Sequence, residues 1–272
     1  MNLAKVWGLL IGLCALLGGL GWVLGEYGLA SIFVFCGFLA AVTAWWHGER
    51  VALAMVGARK AADAEAPTAR AALDRLARRA GIAPPRLYLI NDPFPRALSA
   101  GRGVTGSTVV VSSGLVASAS PAELEGVLAH EVAHVARRDV IVQTVAVLLA
   151  STLVELARLG GYLQRALVFV LGPVAAAFVH LLLSPRRELY ADRFAARLCE
   201  SPHGLADALL RLELAGELVG LDANPVTEPL HIVNPFPREG PGVLFDTHPR
   251  MGDRVKQLRD LDPEWREKLR AA

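Results

Sequence analysis

Two uncharged stretches of 20 residues, Val6–Gly25 and Tyr27–Trp46, stand at the start of the chain with only Glu26 between them. A run of that length, wound as a helix, covers the roughly 30 Å of a bilayer's hydrocarbon. The apolar stretch is too long for a signal peptide, lacks an A-x-A-like cleavage site and is followed at once by a second run. The expectation is an N-terminal transmembrane hairpin over residues 1–50. Hydrophobic residues make up 53% of the sequence and charged ones only 20%, more apolar than an ordinary soluble domain.

Lys5 precedes the first run, Arg50, Arg59 and Lys60 follow the second, and the turn between carries no Lys or Arg. By the positive-inside rule both ends of the hairpin face the cytoplasm, and the rest of the chain with them. The net charge of +2 comes from basic residues interleaved with acids, which argues against nucleic acid as a partner. Cys14, Cys36 and Cys199 form neither a disulfide framework nor a CxxC pair and read as small buried side chains.

The remainder, residues 51–272, reads as one mainly helical α+β domain interrupted by a second apolar hairpin at about 140–183. Leu73, Leu76, Ala77 and Ala80 recur at helical spacing until Gly81 and Pro84-Pro85 end the pattern. Arg86–Asn91 and Ser107–Ser112 read as short strands. Ser120-Pro121-Ala122-Glu123 is a capping box with Pro in the first turn. With no Gly or Pro between Val127 and Leu159, the helix it starts is expected to run on unbroken. The apolar stretches Val140–Val154 and Ala166–Leu183, joined through Gly160-Gly161, form the second hairpin; either a pair of spans or a buried core pair fits its length. Beyond Ser184 come two helices, a Pro-rich loop from Pro225 to Pro241, and a charged helix from about Arg250.

The capped helix carries His130-Glu131-Val132-Ala133-His134. The i, i+4 spacing puts both imidazoles on one face, one turn apart, where they can share a metal ion. Neutral imidazole suits zinc, one per chain, and three protein ligands leave a position open for water. Glu131, beside the first ligand, reaches that water as general base. Glu188 is the candidate third ligand: it follows the second hairpin just as His134 precedes it, and a hairpin returns its ends to one side. Asp192, one turn later, is placed to orient a ligand histidine through its other ring nitrogen.

These segments resemble the HtpX-like integral-membrane zinc metalloproteases, relatives of the CAAX prenyl proteases. The resemblance rests on Glu123 through His134, Arg187-Glu188 with Ala191-Asp192, Ile232-Val233-Asn234-Pro235, and Leu244-Phe245-Asp246-Thr247-His248-Pro249, and covers most of Arg86–Leu261. It implies a zincin-like protease domain in a multi-pass protein of the cell membrane. Its active site would be cytoplasmic, and its substrates membrane or misfolded proteins (protein quality control). The chain departs from the family pattern at Arg96, where an Asn usually stands, and at Leu189, where an aromatic usually follows the glutamate.

His248, in the matched Thr-His-Pro, is the further catalytic candidate: the resemblance implies that it could polarise the scissile carbonyl, and a helix-start role fits it equally. His231 could flank the cleft. His47, His180 and His203 read as interfacial, packing and helix-start residues. Gly101-Arg102-Gly103-Val104-Thr105-Gly106 matches GxGxxG in letters, but a strand follows it, so it reads as a hairpin loop and not a nucleotide site. Arg137, Arg138, Arg186 and Arg187 are expected to reach for lipid headgroups, and Val109–Ser112 to be the edge strand on which an extended substrate pairs. The alternative to an enzyme is a catalytically silent zinc or scaffold protein in the membrane, which would have no use for Glu131. Charges flanking the motif (Glu123, Glu125, Arg137, Arg138) argue against a site inside the bilayer.

Overall fold

The computed structural model describes residues 2–145, 148, 185–218 and 249–262. The first element, α1 (Asn2–Met55), is helical throughout, yet it doubles back. A Cβ placed on Gly21 would lie 2.6 Å from the backbone of Leu29 and Ala30, and one on Gly37 would meet Leu17 and Cys14. In a straight helix residues 14 and 37 would be about 35 Å apart, so the two apolar runs lie side by side, with a Trp22–Tyr27 edge contact near the bend. Trp7, Ile11, Trp22, Val23, Tyr27, Ile32, Phe35, Phe38 and Trp46 are all exposed, a larger apolar surface than a protein surrounded by water ordinarily shows. Cys36 is exposed among them, contrary to the expectation of burial. Among the described residues no helix is long and apolar enough to cross a membrane; a membrane placement rests on the sequence and on this surface.

A four-stranded sheet follows, built from β1 (Arg59–Lys60), β2 (Arg86–Ile90), β3 (Ala97–Ala100) and β4 (Thr108–Ser112) in the order β1-β2-β4-β3. Strands β2 and β4 are parallel; β1 and β3 join antiparallel at the two edges. The expected edge strand at Val109–Ser112 is therefore interior, and the edge is β3, whose Ala-Leu-Ser-Ala sequence lacks β-branched residues. Ser112 N–H donates to the Arg96 carbonyl. Pairing then alternates, so Arg96, Leu98 and Ala100 bond to β4 while the N–H and C=O of Ala97 and Ser99 point away from β4, though both residues are buried. The glycine-rich segment is indeed the β3–β4 hairpin loop. A side chain at Gly101 (φ +147) would strike Ser107, and the Ser107 hydroxyl closes the loop on the Gly103 carbonyl.

Helix α2 (Pro67–Arg79) presents Leu73 and Leu76 to the core. After the one-turn α3 (Ser113–Ser118) comes α4 (Pro121–Ala136). Its capping box forms as the sequence requires: the Ser120 hydroxyl accepts from Glu123 N–H, and the Glu123 carboxylate accepts from Ser120 N–H at 2.7 Å. Twelve of its residues are buried, because α2, α5 (Pro185–Cys199) and α6 (His203–Leu218) enclose it. Against α6 the contact is backbone to backbone: a Cβ on Gly126 would stand 2.5 Å from Leu205 N, and one on Gly204 would collide with the Ala122 carbonyl. Helix α7 (Met251–Arg259) closes over α5 and α6.

The expectation of an unbroken helix fails at one point. α4 ends at Ala136, residues 137–138 form a turn, and helical backbone resumes at 139. Arg138 sits in the left-handed region with φ 60°, although neither Gly nor Pro announces it. Most of the second apolar hairpin, the Pro-rich loop with His231 and Ile232–Pro235, His180, and residues 244–248 including His248 lie outside the described residues.

Candidate metal centre

His130 and His134 project from α4, and α5 sets Glu188 opposite them. All three are buried, and their ligand atoms lie within 4.8 Å of one another. The two Nε2 atoms face each other at 3.1 Å, and the Glu188 oxygens stand 3.4 Å and 3.5 Å from them. His130 Nδ1 lies 2.9 Å from Asp192. A neutral His130 with its proton on Nδ1 would present a lone pair at Nε2 to its neighbour, and two facing lone pairs beside a carboxylate call for a positive charge, a metal ion or a proton, between them. Burial works against a charged His130, but hydrogen bonds to Asp192 and Glu188 outweigh it and hold its pKa up at about 9. The residues present fit a cation.

Three groups around this cluster carry no signal that the sequence analysis used. Arg254, on α7 and completely buried, grips Asp192 with Nε and a terminal nitrogen and lies 3.8 Å from Glu188. Burial pushes the Asp192 carboxyl up, but Arg254 and His130 more than reverse it, so it stays ionised. Asp139, also fully buried, lies 3.7 Å from His134 Nδ1, and its partners are Arg137 at 3.2 Å and Arg187 at 3.9 Å. Those two arginines therefore turn inward, not toward headgroups; Arg137 also stacks over Tyr190. Ser99, on β3, hydrogen-bonds the carboxylate of Glu131. Glu131 is buried, and burial raises its pKa, which suits a group that must take up a proton. His203 starts α6 as expected, its ring 3.0 Å from Asp262.

Compared with known proteins, residues 63–262 match the model of peptidase family M48. The chain belongs to peptidase family M48. Its relatives in that family include proteins described as "Protease HtpX homolog". The one from Pelotomaculum thermopropionicum is 34% identical, covering 96% of this chain and 99% of the relative. That of Acaryochloris marina is 36% identical over 92% and 88%, and that of Pyrococcus abyssi 35% over 92% of each. Among solved structures, Ste24p of S. mikatae superposes with a TM-score of 0.50 at 19% identity, over 91% of this chain and 62% of that one; this likeness concerns the fold. The M48 chain is thus an HtpX-like metalloprotease, and its His-His-Glu cluster sits inside the matched segment.

Proposed function

We propose that the chain is a membrane-embedded zinc endopeptidase of the HExxH…E type that hydrolyses membrane or misfolded proteins at the cytoplasmic face of the cell membrane. The observation that carries this reading is the convergence of the His130, His134 and Glu188 ligand atoms with Glu131 beside them. Ligands 2.0–2.1 Å from one tetrahedral zinc would be about 3.3–3.4 Å apart, close to the 3.1, 3.4 and 3.5 Å seen here. Zinc held there supplies Lewis acidity toward water and the peptide carbonyl. Glu131 takes the proton of the attacking water and returns it to the leaving amine. Asp192 fixes His130 through Nδ1, and Ser99 aims the Glu131 carboxylate.

Ser99 belongs to the edge strand, and an extended substrate is proposed to pair its backbone along that edge beside Glu131, where Ala97 and Ser99 are buried in this structure. This gives recognition with little sequence preference. His248 is proposed to assist at the oxyanion. The two uncharged runs and the exposed apolar surface of α1 support insertion, and the flanking Lys5, Arg50, Arg59 and Lys60 support the cytoplasmic orientation.

The test is cleavage of casein and of a model membrane protein by the purified protein, with and without a chelator. About one zinc per chain and chelator-sensitive cleavage are expected. His130→Ala, His134→Ala and Glu188→Ala should each lose most of the metal; full metal content in Glu188→Ala would point to another third ligand.

A further inference from the structure

We infer that Asp139 is the positioning residue of His134, delivered to it by the left-handed turn at Arg138. This rests on the metal-centre reading above.

A helix turns about 100° per residue, so in an unbroken α4 a residue five places after His134 would point about 140° away from it around the axis. Asp139 does not. The helix tightens as it ends, with Arg137 N–H on the Ala133 carbonyl and Arg138 N–H on Val135. Arg138 then takes φ 60°, and the chain turns back so that the Asp139 carboxylate comes within 3.7 Å of His134 Nδ1. A non-glycine residue in that conformation is strained, and a strained turn persists where the surroundings hold it. Here they do: Arg137 at 3.2 Å and Arg187 at 3.9 Å flank the carboxylate, and Arg187 immediately precedes Glu188. One cluster therefore ties the end of the His134 helix to the start of the Glu188 helix.

A second, independent observation is the parallel with the other ligand. His130 Nδ1 has Asp192 at 2.9 Å, held by Arg254; His134 Nδ1 has Asp139 at the longer distance of 3.7 Å, flanked by Arg137 and Arg187. A carboxylate on the second ring nitrogen selects the tautomer and raises the basicity of the ligating one. The buried carboxylate has Arg137 beside one oxygen and Arg187 nearer the other.

The experiment measures zinc affinity of the full-length, detergent-solubilised protein by competition with a chromogenic chelator, alongside the melting temperature of the metal-free form. Asp139→Asn keeps the size and an acceptor but loses the charge and should bind zinc about tenfold more weakly; Asp139→Ala should approach a hundredfold, the range of such outer groups. Arg138→Gly keeps the turn and should bind zinc as the wild type does, with an equal or higher melting temperature. Should Asp139→Ala fail to fold, Asp139→Asn decides. Wild-type affinity in Asp139→Asn, with or without a lowered melting temperature, overturns the assignment and leaves Asp139 a structural ion-pair residue. A wild-type chain that binds zinc no better than His134→Ala instead sinks the metal-centre reading.

Discussion

Arg254 clasps both oxygens of Asp192, at 2.8 and 2.7 Å, from a helix that lies 62 residues further along the chain. The last described helix thereby reaches the candidate metal centre: Asp192 lies 2.9 Å from His130, and Arg254 holds Asp192. Neither partner is exposed to water, so each depends on the other for its charge.

Arg254→Ala leaves the Asp192 carboxylate buried with one partner fewer. Breaking such a pair costs about 3–5 kcal/mol, and chemical unfolding should register a loss of that order. Arg254→Lys should recover only part of it, because an ammonium cannot reproduce the two-pronged contact. Unfolding at the wild-type midpoint for Arg254→Ala would mean the pair contributes nothing.

Glu131→Gln separates catalysis from metal binding. The side chain keeps its size, and Glu131 is not a ligand, so zinc content should stay near that of the wild type. Peptide cleavage should fall by about 10²–10⁴-fold, the usual contribution of a general acid–base group. Cleavage at the wild-type rate would remove Glu131 from the mechanism.

Proton and metal compete for His130. Its folded value of about 9 lies above the ordinary 6.5, so in the metal-free protein the protonated ring contributes stability below about pH 6.5. That contribution is lost as the pH rises through 9. The melting temperature of the metal-free form should fall across that window. Zinc needs the neutral ring, so apparent affinity should climb by up to tenfold per pH unit and level off near pH 9. A zinc affinity that is flat from pH 6.5 to 8.5 would contradict this account.

Gly126→Ala tests the joint between α4 and α6. The new methyl would meet the backbone at Leu205 at 2.5 Å, and backbone cannot swing aside as a flexible side chain does. Overpacking of this kind costs about 1–3 kcal/mol or more. The substitution should lower the melting temperature and, by tilting α4, zinc occupancy as well. An unchanged melting temperature would show that the helices separate easily.

The histidine pair and its helix were legible because i, i+4 spacing and a capping box are local: Ser120, Glu123, His130 and His134 need no distant information. Glu188 followed from chain order. The break at Arg138 was not legible, since it has no Gly or Pro; partners around Asp139, distant in sequence, hold it. Strand β3 escaped because Ala97–Ala100 has no β-branched residue and is a strand only through its pairing with β4. Arg254 is one of several cations on a charged helix, alike in sequence to Lys256 and Arg259. Only packing against α5 makes it the buried one.

The two-residue turn after Ala136 has a mechanical side. A continuous α-helix is a stiff rod, and a load that tilted the apolar segment from 139 onward would swing both imidazoles with it. Displacements of about 1 Å at a reacting centre can cost a hundredfold in rate. With the rod cut at Arg137–Arg138, the orientation of the two histidines is fixed by the neighbours that enclose α4, namely α2, α5 and α6. A tilt of the apolar segment then reaches His134 through the Asp139 carboxylate and not as a rigid rotation of the helix.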